Sequence, residues 1–125
     1  MPLTIETLKT DQGGDISLVV VPGKALDASN SKDFKTSLAS SLTPGAKIIL
    51  DLGNLDFVDS SGLGAMVSSL RQVCGVGGDL KLCALKKPVR ALIELVRMHK
   101  VFEIFNTREE ALAAFGGAPA SANPA

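Results

Sequence analysis

The chain has 125 residues, 46% of them hydrophobic and 21% charged, which suits one domain with enough apolar side chains to fill a core. Its 13 lysines and arginines balance 13 aspartates and glutamates, so the chain lacks the basic excess that nucleic-acid binding needs. The aromatic residues are five Phe with no Trp or Tyr, which leaves few stacking platforms for single-stranded nucleic acid.

The amino-terminal half predicts a hairpin, a helix and a buried strand. Residues 3–10 alternate as a half-buried strand, and turn residues at 11–15 connect them to an apolar strand over 16–21. A helix is predicted over 31–42, with Ser29, Asn30 or Ser31 as its cap. The near-continuous apolar run at 47–52 predicts a strand covered on both faces.

The carboxyl-terminal half alternates helices and strands. Apolar residues at i, i+3, i+4, i+7 and i+10 from Leu63 to Val73 are typical of an amphipathic helix, and a strand follows at 79–85. Pro88 begins the next helix, 101–105 form a short strand, and Thr107 caps a last helix docked by Ala111, Leu112 and Phe115. The uncharged residues 116–125 predict a flexible tail.

This order, β-β-α-β-α-β-α-β-α, predicts a single α/β domain over residues 1–115. Helical crossovers favour a mostly parallel sheet, here with an antiparallel amino-terminal edge strand and four helices. The longest apolar run, 18–21, is far too short to cross a membrane, and the amino terminus has neither a basic start nor an apolar stretch. We therefore expect a cytoplasmic protein with no signal peptide and no membrane insertion.

Cysteine and histidine are too few and too scattered for a metal site. Cys74, Cys83 and the single His99 do not have the spacing of zinc ligands, so we interpret both thiols as structural. His99 follows a predicted helix, where its charge suits the carboxyl-terminal dipole. The alternative for His99, a general base for a hydrolase, has no supporting motif, because Ser60 is not in a Gly-x-Ser-x-Gly sequence.

The segment 55–64 differs from the rest of the chain because it places polar and small residues between a buried strand and a buried helix. Loops at the carboxyl ends of parallel strands form the binding sites of open α/β sheets. Asp59 and Ser60 precede a helix whose first N–H groups lack partners, so either side chain serves as a cap, and a phosphate on Ser60 would meet these donors. A cap is the commoner role for a serine in this position.

The residues around Ser60 fit a contact that a phosphate would disturb. Gly62 and Gly64 have no side chain, so the backbone of a partner has room to approach the helix start. We expect the loop to be acidic, with Asp56 and Asp59 in it and Asp27 and Asp51 nearby. A phosphoserine adds about −1.5 to −2 charges, which next to carboxylates would repel an acidic or tightly packed partner surface.

The chain resembles the STAS domain, and most closely the bacterial anti-sigma-factor antagonists. The most specific match is Phe57-Val58-Asp59-Ser60-Ser61-Gly62-Leu63-Gly64, and supporting matches lie at 48–52, 77–80, 88–95 and 100–102. The segment Gly23-Lys24-Ala25-Leu26-Asp27 departs from the family pattern, because it is one residue longer than the corresponding family segment.

The resemblance implies a phosphorylation switch in bacterial transcription and signal transduction. Unphosphorylated, the domain would bind an anti-sigma factor that is also a serine kinase and release the sigma factor or other regulated partner. The kinase would phosphorylate Ser60, and a serine phosphatase would reset it. Asp27, Asp59, Ser61 and Gly62 would contact the partner. The kinase would supply its own ATP site, so this chain would need no cofactor. The resemblance also implies a monomer or weak dimer that has no catalytic residue and no metal.

A second function is compatible with the same fold. STAS domains also serve as docking subunits of lipid-trafficking ABC transporters and of stress-sensing assemblies, where phosphorylation is not required. The hydroxyl at Ser60 favours the phosphorylated class, because a docking subunit has no need of it.

Overall fold

The computed structural model describes residues 3–9 and 15–115. The end of the predicted first strand at Thr10, residues 11–14 of the predicted turn at 11–15, and the tail at 116–125 therefore lie outside the described residues. The strands, in chain order, are β1 (Thr4–Lys9), β2 (Asp15–Val20), β3 (Ala25–Leu26), β4 (Lys47–Asp51), β5 (Phe57–Val58), β6 (Asp79–Cys83) and β7 (Glu103–Phe105). The helices are α1 (Ser31–Ala39), α2 (Ser60–Gly75), α3 (Lys87–Leu95) and α4 (Arg108–Ala114).

The main sheet has the predicted architecture. Its strand order is β1-β2-β4-β6-β7, with β1 antiparallel to β2 and every other neighbouring pair parallel. The α/β class, the antiparallel edge strand and the four helices are therefore confirmed. Each parallel connection passes through at least one helix, as parallel pairing requires.

Helices cover both faces of this sheet. α1, α2 and α3 pack on one face through a cluster that includes Phe34, Met66 and Ile93, and α4 packs on the other around Ile49. β4 is buried on both faces, which confirms the interpretation of its apolar run. Each fully buried large side chain contributes about 1.5–3 kcal/mol to folding, so the two clusters hold the sheet between its helices.

Several element boundaries differ from the predictions, with the largest differences at α1, β6 and the last strand. β6 ends at Cys83 rather than at residue 85, and the next residue, Ala84, has a positive φ of 65°. α1 ends at Ala39 rather than at residue 42, because the hydroxyls of Ser40 and Ser41 donate to the Ser37 carbonyl at 2.7 and 3.4 Å and compete with the helical pattern. The last strand begins at Glu103 rather than at residue 101, because a 3-10 turn at 98–100 precedes it.

The predicted cap of α4 is confirmed. The Thr107 hydroxyl accepts from the Glu110 N–H at 3.1 Å. The Glu110 carboxylate accepts in turn from the Asn106 N–H at 2.9 Å, one residue earlier than in a regular capping box. Ala111 is fully buried, and Leu112 and Phe115 pack against the same cluster.

A buried lysine, which the sequence patterns did not single out, lies under the end of α4. The Lys81 side chain donates to the carboxylates of Asp79, at 2.8 Å, and Glu103, and its Nζ lies 4.6 Å from the Phe115 ring centroid. Burial alone lowers the pKa of Lys81, but the two carboxylates outweigh it and raise that pKa above its ordinary value. The charged ammonium therefore ties β6 to β7 and to the end of α4.

The two thiols should differ sharply in reactivity. Cys83 is fully buried, and burial together with Asp51 raises its pKa to about 12, whereas Cys74 is exposed. We expect a chromogenic disulfide reagent at neutral pH to modify one thiol per folded chain and two after denaturation, because the thiolate is the reacting species. Cys74→Ser should leave no rapidly reacting thiol. A second rapid equivalent in that variant would contradict the burial of Cys83.

Candidate functional site at the start of α2

The candidate site lies at the carboxyl ends of the parallel strands, where the loop after β4 leads into α2. Within this loop β5 pairs in parallel with β3, matching Ala25 to Phe57 and Leu26 to Val58. The carbonyl of Lys24 also accepts from the N–H groups of Asp56 and Phe57. The longer segment 23–27 thus folds against the loop that precedes α2, and this small second sheet brings Asp27 to the start of α2.

Asp59, and not Ser60, caps the helix. Its Oδ1 accepts from the Gly62 N–H at 2.9 Å, and its Oδ2 accepts from the Ala28 N–H at 3.2 Å. The same residue donates its own N–H to the Leu26 carbonyl at 3.2 Å. One carboxylate therefore both caps α2 and attaches it to the turn at 27–30.

Removal of this carboxylate should loosen both contacts. We expect Asp59→Ala to lower the free energy of unfolding by about 2 kcal/mol, because it removes an N-cap together with a second hydrogen bond. Asp59→Asn keeps one acceptor oxygen, so its loss should be smaller. Urea denaturation of the three proteins measures the difference. Equal stabilities would show that neither hydrogen bond stabilises the fold.

Ser60 is the first residue of α2 and is exposed. Within residues 3–9 and 15–115 its hydroxyl makes no hydrogen bond. The sequence left open whether Asp59 or Ser60 caps the helix. The structure assigns the cap to Asp59, so the Ser60 hydroxyl is not used as a cap. No acidic residue lies in the first turn of α2, so a phosphate on Ser60 would sit at the positive end of the helix dipole.

Gly62 is needed inside the domain. It is buried, and a Cβ added there would overlap the carbonyl oxygen of Leu26 and lie 2.9 Å from Cγ1 of Val58. The close approach at Gly62 is therefore made by the domain's own β3, and not by the backbone of a partner as the sequence suggested. Gly64 is exposed and has no atom within 4 Å of an added Cβ, so it keeps space for a partner.

Asp27 forms the turn beside the helix start. Its carboxylate accepts from the Ser29 hydroxyl at 2.6 Å and from the Ser29 N–H at 2.9 Å, and these bonds lower the pKa of Asp27. Its carbonyl accepts from the N–H groups of Asn30 and Ser31. The negative charge of Asp27 is therefore held next to Ala28, which is bonded to Asp59.

The loop is less acidic than predicted, because Asp56 is paired with lysines. The Lys86 ammonium lies 2.8 Å from its Oδ1, and that of Lys24 lies 4.0 Å from its Oδ2. The hydrogen bond from Lys86 lowers the pKa of Asp56. Two lysines thus offset the charge of this carboxylate.

Asp51 lies on the opposite side of the sheet from α2, which corrects the expectation that it is near Ser60. The buried carboxylate accepts from the Arg108 Nε of α4 at 2.5 Å and from the Gly53 N–H at 2.8 Å. It shares this face with Ile49, two residues earlier in the same strand. The carboxylates beside the start of α2 are therefore those of Asp27 and Asp59.

Phe57 is a candidate contact residue that the residue patterns did not single out. Its side chain is 54% exposed on β5, three residues before Ser60, while the next residue, Val58, points into the core. Exposed aromatic side chains are common anchors of protein interfaces. The aromatic position of the matched motif was the available signal.

His99 lies far from Ser60 in the fold. It belongs to the 3-10 turn that precedes β7, at the edge of the sheet where the parallel strands begin, whereas α2 starts at the edge where they end. A hydrolase needs a base within hydrogen-bonding reach of the nucleophile. The structure does not assemble a Ser60–His99 pair.

Comparison with known proteins identifies the family. The STAS domain family model matches residues 7–111. BtrV of Bordetella bronchiseptica, assigned as an anti-sigma factor antagonist, is 35% identical over 91 residues, which span 72% of this chain and 78% of BtrV.

Solved structures share the fold at low identity. An anti-sigma-factor antagonist (STAS) domain protein from Planctomyces limnophilus matches with a TM-score of 0.76 and 17% identity, covering 90% of this chain and 98% of that one. A sulfate transporter family protein from Wolinella succinogenes matches with a TM-score of 0.67 and 16% identity, covering 78% of this chain and 81% of that one. Among the described helices, none has the length and apolar character needed to cross a bilayer. With a family model that matches most of its length, the chain belongs to the STAS domain family.

Proposed function

We propose that this STAS domain is an anti-sigma factor antagonist controlled by phosphorylation of Ser60. In its unphosphorylated form it binds an anti-sigma factor that is also a serine kinase, and so releases the sigma factor or other regulated partner. The observation that carries the proposal is the exposed hydroxyl of Ser60, which bonds to none of the residues that the structure describes, at a helix start that Asp59 already caps. The similarity to BtrV supports the class of partner.

The chemistry of the switch follows from the position of Ser60. The kinase transfers the γ-phosphoryl group of its own ATP to the Ser60 oxygen, which loses its proton, and ADP leaves. A serine phosphatase returns the hydroxyl by hydrolysis. The N–H groups at the start of α2 that Asp59 does not engage stabilise the phosphate within the domain, while the added charge of about −1.5 to −2 beside Asp59 disrupts a closely packed partner surface.

The partner surface combines Ser60 with neighbours of three kinds. Asp27 and Asp59 supply negative charge, Ser61 supplies a second exposed hydroxyl, and Phe57 supplies an apolar anchor. Gly62 contributes by seating α2 against β3, because it is buried. The domain itself performs no catalysis in this scheme and acts in the cytoplasm, where the kinase has ATP.

The alternative is a docking module that is not phosphorylated. The fold shared with a sulfate transporter family protein shows that this architecture also occurs outside anti-sigma factor antagonists. In that function the hydroxyl of Ser60 has no role. A charge placed at Ser60 would then leave the set of bound partners unchanged, or it would weaken the binding of transporter subunits rather than of a kinase.

A pull-down from lysate of the source cells distinguishes the two functions. The baits are the wild type, Ser60→Asp, and Thr43→Asp, which adds the same charge in an exposed turn at the opposite edge of the sheet. We expect the wild type and Thr43→Asp to retain an ATP-binding serine kinase and Ser60→Asp to lose it. Retention of the same transporter or assembly subunits by all three baits would contradict the proposed function.

A further inference from the structure

A groove runs between α1 and α2 on the face of the domain that also carries the start of α2. Its volume is about 440 Å³, and it is lined by Lys32, Lys35, Thr36, Ala39, Ser68 and Gln72. All but one of these side chains are polar, and the groove opens to solvent. It is therefore suited to a polar segment of another molecule rather than to an apolar ligand.

The charge of the groove is entirely positive, although the chain as a whole is neutral. Among the residues that the structure describes, no carboxylate pairs with Lys32 or Lys35. The acidic residue of α1, Asp33, lies on the opposite flank of that helix, because successive residues turn by about 100°. Two ammonium groups without an internal counterion thus flank the groove.

The groove and the candidate site lie along the same helix, α2. Ser61, Ser68 and Gln72 are separated by seven and four residues, so they form one stripe on the side of the helix that faces α1. The stripe extends about 16 Å, at about 1.5 Å per residue. A partner that covers Ser61 and follows α2 would reach both lysines.

We propose that this groove receives an acidic segment of the anti-sigma factor kinase, as a second contact region next to the phosphorylated site. The inference rests on the proposed function. A protein segment fits the groove better than a nucleic acid does, because the chain has no overall basic excess and few aromatic side chains. Carboxylates of the segment would pair with Lys32 and Lys35 and steer the kinase toward Ser60.

Charge reversal in the groove tests this contact. The variant is Lys32→Glu/Lys35→Glu, and its matched control is Lys47→Glu/Lys100→Glu, which reverses two exposed lysines at the opposite edge of the sheet. Binding of the purified kinase retained by the wild type is followed by association kinetics at low and high salt. We expect the groove variant to associate about tenfold more slowly at low salt, and the difference to shrink at high salt, where charges are screened.

The outcomes separate the groove from the switch. An unchanged rate in the groove variant, or an equal loss in the control, overturns the groove contact, while the effect of Ser60→Asp still stands. If nuclease treatment of the lysate abolishes retention of the kinase by the wild type, a nucleic acid occupies the groove, and this result also overturns the groove contact. If the wild type retains no kinase, the proposed function fails. Two controls exclude misfolding. Thermal melting compares the stabilities of the variants, and the milder Lys32→Gln/Lys35→Gln variant should show a smaller decrease in the association rate.

Discussion

Gly62→Ala should lower the free energy of unfolding by about 2 kcal/mol, although alanine favours helices over glycine. The added methyl group overlaps the Leu26 carbonyl oxygen, which belongs to β3 and cannot rotate away as a side chain can. Overpacking of this kind costs about 1–3 kcal/mol, and the clash with a fixed backbone atom places the packing cost in the upper part of that range. The gain in helix propensity, up to about 1 kcal/mol, offsets part of this cost and leaves the expected net loss. Urea denaturation measures the change.

Gly64→Ala is the matched control for this substitution. It lies two residues further along α2, where an added Cβ meets no atom within 4 Å. We expect it to raise the free energy of unfolding by up to about 1 kcal/mol through helix propensity alone. Equal effects at the two positions would contradict the close contact between α2 and β3. Because Gly62→Ala displaces the helix start, it should also weaken kinase binding.

Ser60→Ala should abolish phosphorylation by the retained kinase while leaving kinase binding nearly intact. The substitution removes the accepting oxygen but no hydrogen bond, since Asp59 provides the cap. Exposed substitutions of this kind change free energies by no more than about 0.5 kcal/mol, so the dissociation constant should change by about twofold or less. Phosphate incorporation from labelled ATP and calorimetry measure the two effects.

Ser61→Ala is the control for the neighbouring hydroxyl. Ser61 is exposed like Ser60, but it points about 100° further around the helix, toward α1. We expect this variant to take up phosphate in nearly normal amounts. Mass spectrometry that locates phosphate on Ser61 in the Ser60→Ala protein would show that the hydroxyl was misassigned. Loss of kinase binding in Ser60→Ala would show instead that the partner needs the hydroxyl itself.

The sequence predicts those parts of the fold that repeat over several turns or residues. The apolar spacing from Leu63 to Val73 identified α2, and the run at 47–52 identified the central strand. β3 and β5 were missed because two residues are too few to show a period. These short strands exist because the backbone groups of 25–26 and 57–58 pair with each other, which no local pattern reveals.

The sequence names the residues of the candidate site but does not show how they are arranged. The motif at 57–64 predicts Ser60 as the phosphorylated residue, and the structure adds that Asp59 is the cap. The number of nearby carboxylates was overestimated, because sequence distance does not show that Asp56 meets Lys86 or that Asp51 faces α4. Gly62 illustrates the same limit, since its neighbour Leu26 is far away along the chain.

The connections between the turn at 27–30 and the start of α2 have a consequence for the proposed switch. β3 pairs with β5, Asp59 bonds Ala28, and Gly62 lies against Leu26, so direct contacts fix the two sides of the proposed partner surface to each other. Phosphorylation of Ser60 is then expected to add volume and charge at one position without moving the backbone of this surface. The kinase would distinguish the two forms mainly by faster dissociation from the phosphorylated one. Partner specificity can accordingly evolve through exposed side chains alone, with the interior of the domain unchanged.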